Sequence, residues 1–200
     1  LLPDMIAVYK AIKSVCSNVE KSHIEDGFRK SADFLCRRSE QHEFIANHLA
    51  GAVLALQQAH VLFDEKRYDQ KANEILGSIL DRQSEEGWFP EYGGADPGYQ
   101  TLCMYYLAQI YRIDQTKLLK NALEKSLQFL QFFIHPDGTY GGEYGSRRTE
   151  IFYPGGIAML ASEFPIAASM RIFMENSIAS GKTVNLIDVD MGNLAPLLSN

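Results

Sequence analysis

The chain has 200 residues, of which 46% are hydrophobic and 22% are charged, a composition typical of a globular domain. Its formal net charge of -6 gives no basic surface for nucleic acid and no attraction to an anionic membrane. We therefore expect neither nucleic acid nor a membrane among its partners.

Hydrophobic spacing predicts helices along almost the whole chain, and these helices come in pairs. The pairs are predicted at 5–19 with 24–38, 47–63 with 66–83, 99–112 with 116–134, and 153–164 with 165–179. A final segment, 183–200, begins with β-branched residues and ends like the start of another helix. The sequence thus predicts an all-α chain that forms a single domain over residues 1–200.

The two members of a pair differ in their hydrophobic pattern. First members are apolar on nearly all sides, as in the run from Leu102 to Leu107, which is typical of a helix buried on several sides. Second members carry one apolar stripe opposite polar residues, as in 66–83. This alternation predicts an α/α toroid, a partial barrel of about four helical hairpins. An open helical solenoid is the alternative, and so few hairpins indicate that the ring is incomplete.

One peptide occurs twice, as Glu-Gly-Trp-Phe-Pro-Glu-Tyr-Gly-Gly at 86–94 and as Asp-Gly-Thr-Tyr-Gly-Gly-Glu-Tyr-Gly-Ser at 137–146. Its spacing of about 50 residues is typical of a repeated supersecondary unit. Both copies lie in long Gly-rich links, 84–98 and 135–152. Because such long loops in a compact domain are usually functional, we expect the site on the rim where they meet.

Polar and aromatic side chains are predicted to converge on this rim, because the inner helices all begin there. The candidates for catalysis are His48, Tyr99, Glu91 and Glu143, and those for substrate binding are Asn47, Trp88, Tyr92, Gln100, Tyr144, Arg147, Arg148 and Tyr153. Acids, tyrosines and arginines around a concave surface suit a polar, ring-shaped ligand. Carbohydrate is therefore the expected ligand class.

Several candidates also have a purely structural interpretation. Glu91 and Glu143 either accept hydrogen bonds from their own Gly-rich turns or point inward as a general acid and base. Their separation would then decide the stereochemistry of hydrolysis. His48 and Asn47 open a helix, where a histidine often packs and an asparagine often caps.

The sequence lacks the motifs of metal and nucleotide sites, so no cofactor and no metal are expected. Cys16, Cys36 and Cys103 are dispersed, odd in number and without CxxC spacing, which predicts reduced thiols. Reduced thiols and the absence of a visible signal peptide favour a cytoplasmic location. The chain begins with Leu rather than Met, so we expect it to be part of a longer protein.

Two segments resemble the helical toroid of the heparinase II/III-like and alginate-lyase-like polysaccharide lyases. One is the Asn47-His48 pair that opens an inner helix, and the other combines the acid-Gly-aromatic-x-x-Glu loop at 86–91 with the Asp-Pro-Gly-Tyr-Gln run at 96–100. The resemblance covers roughly residues 44–110. Such motifs also occur in toroids of glycosidases, epimerases and terpenoid-cyclase-like proteins.

The resemblance implies β-elimination on a uronate-containing polysaccharide. Asn47 or Arg147 would neutralise the uronate carboxylate, and His48 or Tyr99 would remove the adjacent proton. Either Tyr144 or Tyr153 would protonate the leaving oxygen.

This chain departs from the family at Gln100, which stands where those proteins often have histidine. The β-sandwich domain of the family is also absent from the 200 residues, so we expect a missing partner domain or a second chain. Two other functions stay open. One is a glycoside hydrolase or uronate epimerase that uses Glu91 and Glu143, and the other is a non-catalytic binding or scaffold toroid.

Overall fold

A computed structural model describes residues 2–37, 44–141, 145 and 153–182. Its helices are α1 Leu2–Ile12, α2 Asn18–Arg37, α3 Ala46–Phe63, α4 Lys66–Leu80, α5 Pro97–Ile113, α6 Lys117–Leu130, α7 Gly155–Leu160 and α8 Pro165–Ala179. A short 3-10 turn follows α6. Over the described ranges only isolated β-bridges are present, with no strand. The predicted all-α class is thereby confirmed.

The helices pack as two connected rows. In one row α1 contacts α3, α3 contacts α5, and α5 contacts α7; in the other α2 contacts α4, α4 contacts α6, and α6 contacts α8. The hairpins α3–α4, α5–α6 and α7–α8 join the two rows. Helices α3 and α5 are buried on most sides, whereas α4 and α6 bury one stripe each. Closure of these rows around a common axis, which a toroid requires, stays a prediction.

The main hydrophobic core lies between the two rows. Fully buried members include Leu56 of α3, Ile79 of α4, Leu107 of α5 and Leu123 of α6. Each such side chain stabilises the fold by about 1.5–3 kcal/mol relative to an exposed one. This core fixes the helix ends from which the site is built.

Local capping sets several helix boundaries. Ser17 and Glu20 form a reciprocal capping box, in which each side chain accepts from the other's backbone N–H. The box starts α2 at Asn18, so α1 ends earlier than the hydrophobic pattern predicts. Asp96 caps α5 by accepting from the backbone N–H of Tyr99 at 3.0 Å, and Pro97 occupies the first helical position.

The long link before α5 also touches the start of α3. The backbone N–H of Ala46 donates to the carbonyl of Pro90 at 3.0 Å, so this link and the first turn of α3 share one rim.

Among the helices of the described ranges, none combines the length and the apolar character needed to cross a bilayer.

Candidate functional site

The Glu91 carboxylate joins the long link 84–96 to the start of α3. Its two oxygens accept from the backbone N–H and the side-chain amide of Asn47, each at 2.7 Å. Both residues are only 3% exposed. The positive end of the α3 dipole favours a negative charge at this place. Glu91 therefore determines where α3 begins and how Asn47 is oriented.

His48, the next residue, is exposed and lines a cleft of about 280 Å³. The cleft lies between α1, α2, α3 and α5. Its walls are formed by Leu2, Pro3, Leu35, Asn47, His48, Gly51, Ala52, Ala55 and Tyr106. Small side chains at three of the α3 positions leave the open space. This part of α3 presents an imidazole beside a concave surface.

Tyr106 lines the cleft, although it is not among the candidates that the sequence analysis names. A Cβ on Gly51 would lie 3.4 Å from its ring, so the glycine allows the ring to approach α3. Burial, followed by the negative charge of Asp4, raises the pKa of Tyr106 above its ordinary value. Tyr106 is protonated at neutral pH, as an ordinary tyrosine is. The one sequence signal for this contact is the glycine within an otherwise regular helix.

Two further predicted residues, Tyr92 and Tyr99, form a ring pair beside Glu91. Their ring centroids are 5.8 Å apart, and the ring planes are tilted by 54°. Tyr92 is 39% exposed, and Tyr99 is half-buried against Leu102, Tyr105 and Tyr153. The pair provides aromatic surface on the same rim as His48.

Tyr153 and Trp88 occupy other surroundings. Tyr153 is 4% exposed, and its backbone N–H donates to the Thr101 hydroxyl at 2.8 Å. Trp88 is half-buried, and its indole N–H donates to the Glu86 carboxylate at 2.9 Å. The described contacts of these two residues are with the chain's own loops and helices.

Gln100 is fully buried and anchors the long link. Its side-chain oxygen accepts from the backbone N–H of Phe89 at 2.9 Å. Its amide donates to the Ser126 hydroxyl at 3.0 Å and to the Gly87 carbonyl at 3.3 Å. The described contacts of the Gln100 side chain thus hold the long link in place.

The second copy of the repeated peptide approaches the start of α5. A Cβ on Gly145 would lie 2.5 Å from the Asp96 carboxylate, and the Tyr140 hydroxyl donates to the Pro97 carbonyl at 3.1 Å. Burial raises the pKa of Tyr140 well above its ordinary value. The remaining candidates on this loop, Glu143, Tyr144, Arg147 and Arg148, lie outside the described residues.

The structure therefore brings Asn47, His48 and Glu91 together at the start of α3, with Tyr92 and Tyr99 next to them.

Comparison with known proteins adds no relative: no family model, no curated protein and no solved structure matches the chain. Within the described ranges, no three His, Cys, Asp or Glu side chains come together as a metal site would require. The function of the site is therefore inferred from the geometry of its residues alone.

Proposed function

We propose that this chain cleaves an acidic, uronate-containing polysaccharide by β-elimination in the cleft beside His48. The observation that carries the proposal is the arrangement at the start of α3. Glu91 holds Asn47 through two hydrogen bonds, and the following residue, His48, is exposed at the cleft. A buried carboxylate thus sets the position of an accessible imidazole.

Elimination needs a base and a proton donor. The base takes the proton from the carbon beside the uronate carboxylate, and the electron pair left behind forms a carbon–carbon double bond. The bond between the neighbouring ring carbon of the uronate and the bridging oxygen breaks, and that oxygen gains a proton. An imidazole nitrogen can accept a proton and suits the first task. In this proposal Tyr106, which lines the same cleft, is the proton donor.

The surroundings of Glu91 favour elimination over hydrolysis by two carboxylates. A general acid must exchange a proton with the substrate, but Glu91 is 3% exposed and both its oxygens accept from Asn47. We therefore assign Glu91 a positioning role. Since Asn47 is only 3% exposed, the substrate carboxylate needs further donors, and Arg147 and Arg148 remain the predicted ones.

The test compares two exposed histidines on alginate and on a glycosaminoglycan. We expect the wild-type chain to release an unsaturated uronate, followed by its ultraviolet absorbance. His48→Gln should lower this rate by about 100-fold or more, because a general base contributes roughly 10²–10⁴ to the rate. His23→Gln, which changes an exposed residue on α2 outside the cleft, should leave the rate unchanged.

Other outcomes separate the alternatives. Release of reducing ends without ultraviolet absorbance would favour the hydrolase. Absence of any cleavage would favour the binding or scaffold toroid. Full activity of His48→Gln alongside wild-type elimination would remove His48 from the role of base.

A further inference from the structure

The turn after Glu91 places a tyrosine where the backbone disfavours one. Glu91 and Gly94 exchange two backbone hydrogen bonds, at 2.8 and 3.1 Å, so Tyr92 and Gly93 form a two-residue loop. Both have positive φ, 51° for Tyr92 and 87° for Gly93. A loop of this kind favours Asn-Gly or Asp-Gly. Tyrosine is uncommon in the left-handed region, because its Cβ crowds the backbone there.

Burial does not account for this choice of residue. The Tyr92 side chain is 39% exposed, and its described ring contact is the tilted pair with Tyr99. An asparagine would fit the backbone better and would leave most of Tyr99 packed against its own cluster. The partly exposed Tyr92 ring therefore adds aromatic surface at the rim, although the backbone that carries it is locally strained.

We propose that Tyr92 and Tyr99 form a stacking platform for one ring of a saccharide chain, next to the cleft that contains His48. The choice of a saccharide rests on the proposed function. Glu91, which directly precedes Tyr92, binds Asn47, the neighbour of His48, so the platform continues from the cleft along the same rim. A ligand longer than one sugar unit then contacts both.

Sugar rings suit this surface chemically. One face of a pyranose carries mainly C–H groups, which pack on an aromatic face, while its hydroxyl groups meet the polar edge of a tyrosine. A uronate carboxylate projects from the edge of its ring and stays in water when the face is stacked. The platform thus adds affinity for the acidic saccharide without requiring a positive charge at this place.

The test uses Tyr92→Asn, with Tyr92→Phe as the matched control, and an alginate tetrasaccharide as the probe. Binding is measured by calorimetry in the His48→Gln background, so that the probe stays intact. Tyr92→Asn should weaken binding by about tenfold, the equivalent of roughly 1.4 kcal/mol, with an equal or higher Tm. Tyr92→Phe should keep the wild-type Kd within about twofold, because the ring is retained.

A lower Tm of Tyr92→Asn with an unchanged Kd would overturn the platform and make the tyrosine structural. An unchanged Kd at an unchanged Tm would overturn it equally, as would a chain that binds no tetrasaccharide. The experiments can overturn the proposed platform without overturning the proposed elimination, and the reverse also holds. Tyr92-dependent binding without an unsaturated product overturns only the elimination, whereas unsaturated product with no effect of Tyr92→Asn on Kd overturns only the platform.

Discussion

At the scale of single residues, the long link before α5 is held by hydrogen bonds to one backbone carbonyl. The Gly87 carbonyl accepts from Gln83, Gln100 and the Ser126 hydroxyl, at 3.0, 3.3 and 2.9 Å. Gly87 itself has φ of 104°, and a Cβ there would lie 2.3 Å from the Lys125 carbonyl oxygen. These contacts bind the link to α5 and α6 at a point where only glycine fits.

Gln100→Leu should lower the free energy of unfolding by about 2–3 kcal/mol. The substitution leaves the buried N–H of Phe89 without the acceptor it has in the wild type, and an unsatisfied buried donor costs about 1–3 kcal/mol. Urea denaturation provides the measurement. Gln109→Leu on the same helix is the control, because Gln109 is half-buried and bonds within its own turn; equal losses in both variants would contradict the prediction.

The sequence named candidate site residues but did not predict how they contact each other. Asn47 and Glu91 were both candidates, and the repeated motif pointed to either the Glu91 turn or the cleft as the destination of its carboxylate. The bond to Asn47 spans 44 residues, and local patterns carry no information on such a pairing. Likewise, residue type alone did not distinguish Tyr106 at the cleft from the other tyrosines of α5.

At the scale of helices, α7 approaches α5 through a glycine. Helix α7 has six residues, and a Cβ on Gly156 would lie 2.6 Å from the backbone of Met104 and Tyr105. A side chain at this position would force the two helices apart. Although α7 is short, its backbone packs directly against the backbone of α5 at Gly156.

Gly156→Ala should destabilise the chain by about 1–3 kcal/mol, the usual range for overpacking. Gly77→Ala is the matched control, because Gly77 lies inside α4 and a Cβ there would have nothing within 4 Å. Alanine at that place should stabilise the helix by roughly 0.5–1 kcal/mol. Thermal unfolding of both variants checks the opposite signs, and two changes of the same sign would contradict the proposed contact.

Helix pairing was predictable because burial of a helix face leaves a periodic pattern in the sequence. The predicted end of α3 at Phe63 and the prediction of α8 over 165–179 agree with the structure. Helix boundaries set by individual hydrogen bonds were less accessible to periodicity. Helix α7 ends at Leu160 because the N–H groups of Glu163 and Phe164 both turn back to that residue's carbonyl, and the apolar pattern continues through this turn.

At the scale of the whole molecule, the end of the fold where α3 begins and the end where α3 finishes have different roles. We call these two ends the first and the second rim. Helix α3 has 18 residues, which separates its ends by about 27 Å. The site lies at its first turn. Beyond its last turn, Glu65 pairs with Arg29 of α2 and with Arg67 of α4. On this second rim an acidic residue in a short link joins neighbouring hairpins.

Glu163 repeats that arrangement in the link between α7 and α8. Its carboxylate accepts from Lys120 of α6 and from the Tyr111 hydroxyl of α5. These two hydrogen bonds, that of Lys120 first, lower the pKa of Glu163 from 4.5. A carboxyl whose pKa is lower in the folded state stabilises the fold above its unfolded pKa, and this contribution is lost as the pH falls through the folded value.

Glu163→Gln should therefore lower Tm at pH of about 6 and have a progressively smaller effect below the ordinary pKa of 4.5. The measurement is thermal unfolding of both proteins across this pH range. Glu85→Gln, at an exposed position in the long link 84–96, is the control and should run parallel to the wild type. Because Glu163 lies on the rim away from His48, its substitution should leave the rate of unsaturated uronate release unchanged at temperatures below Tm. A constant Tm difference at every pH would show that the Glu163 charge does not join these hairpins.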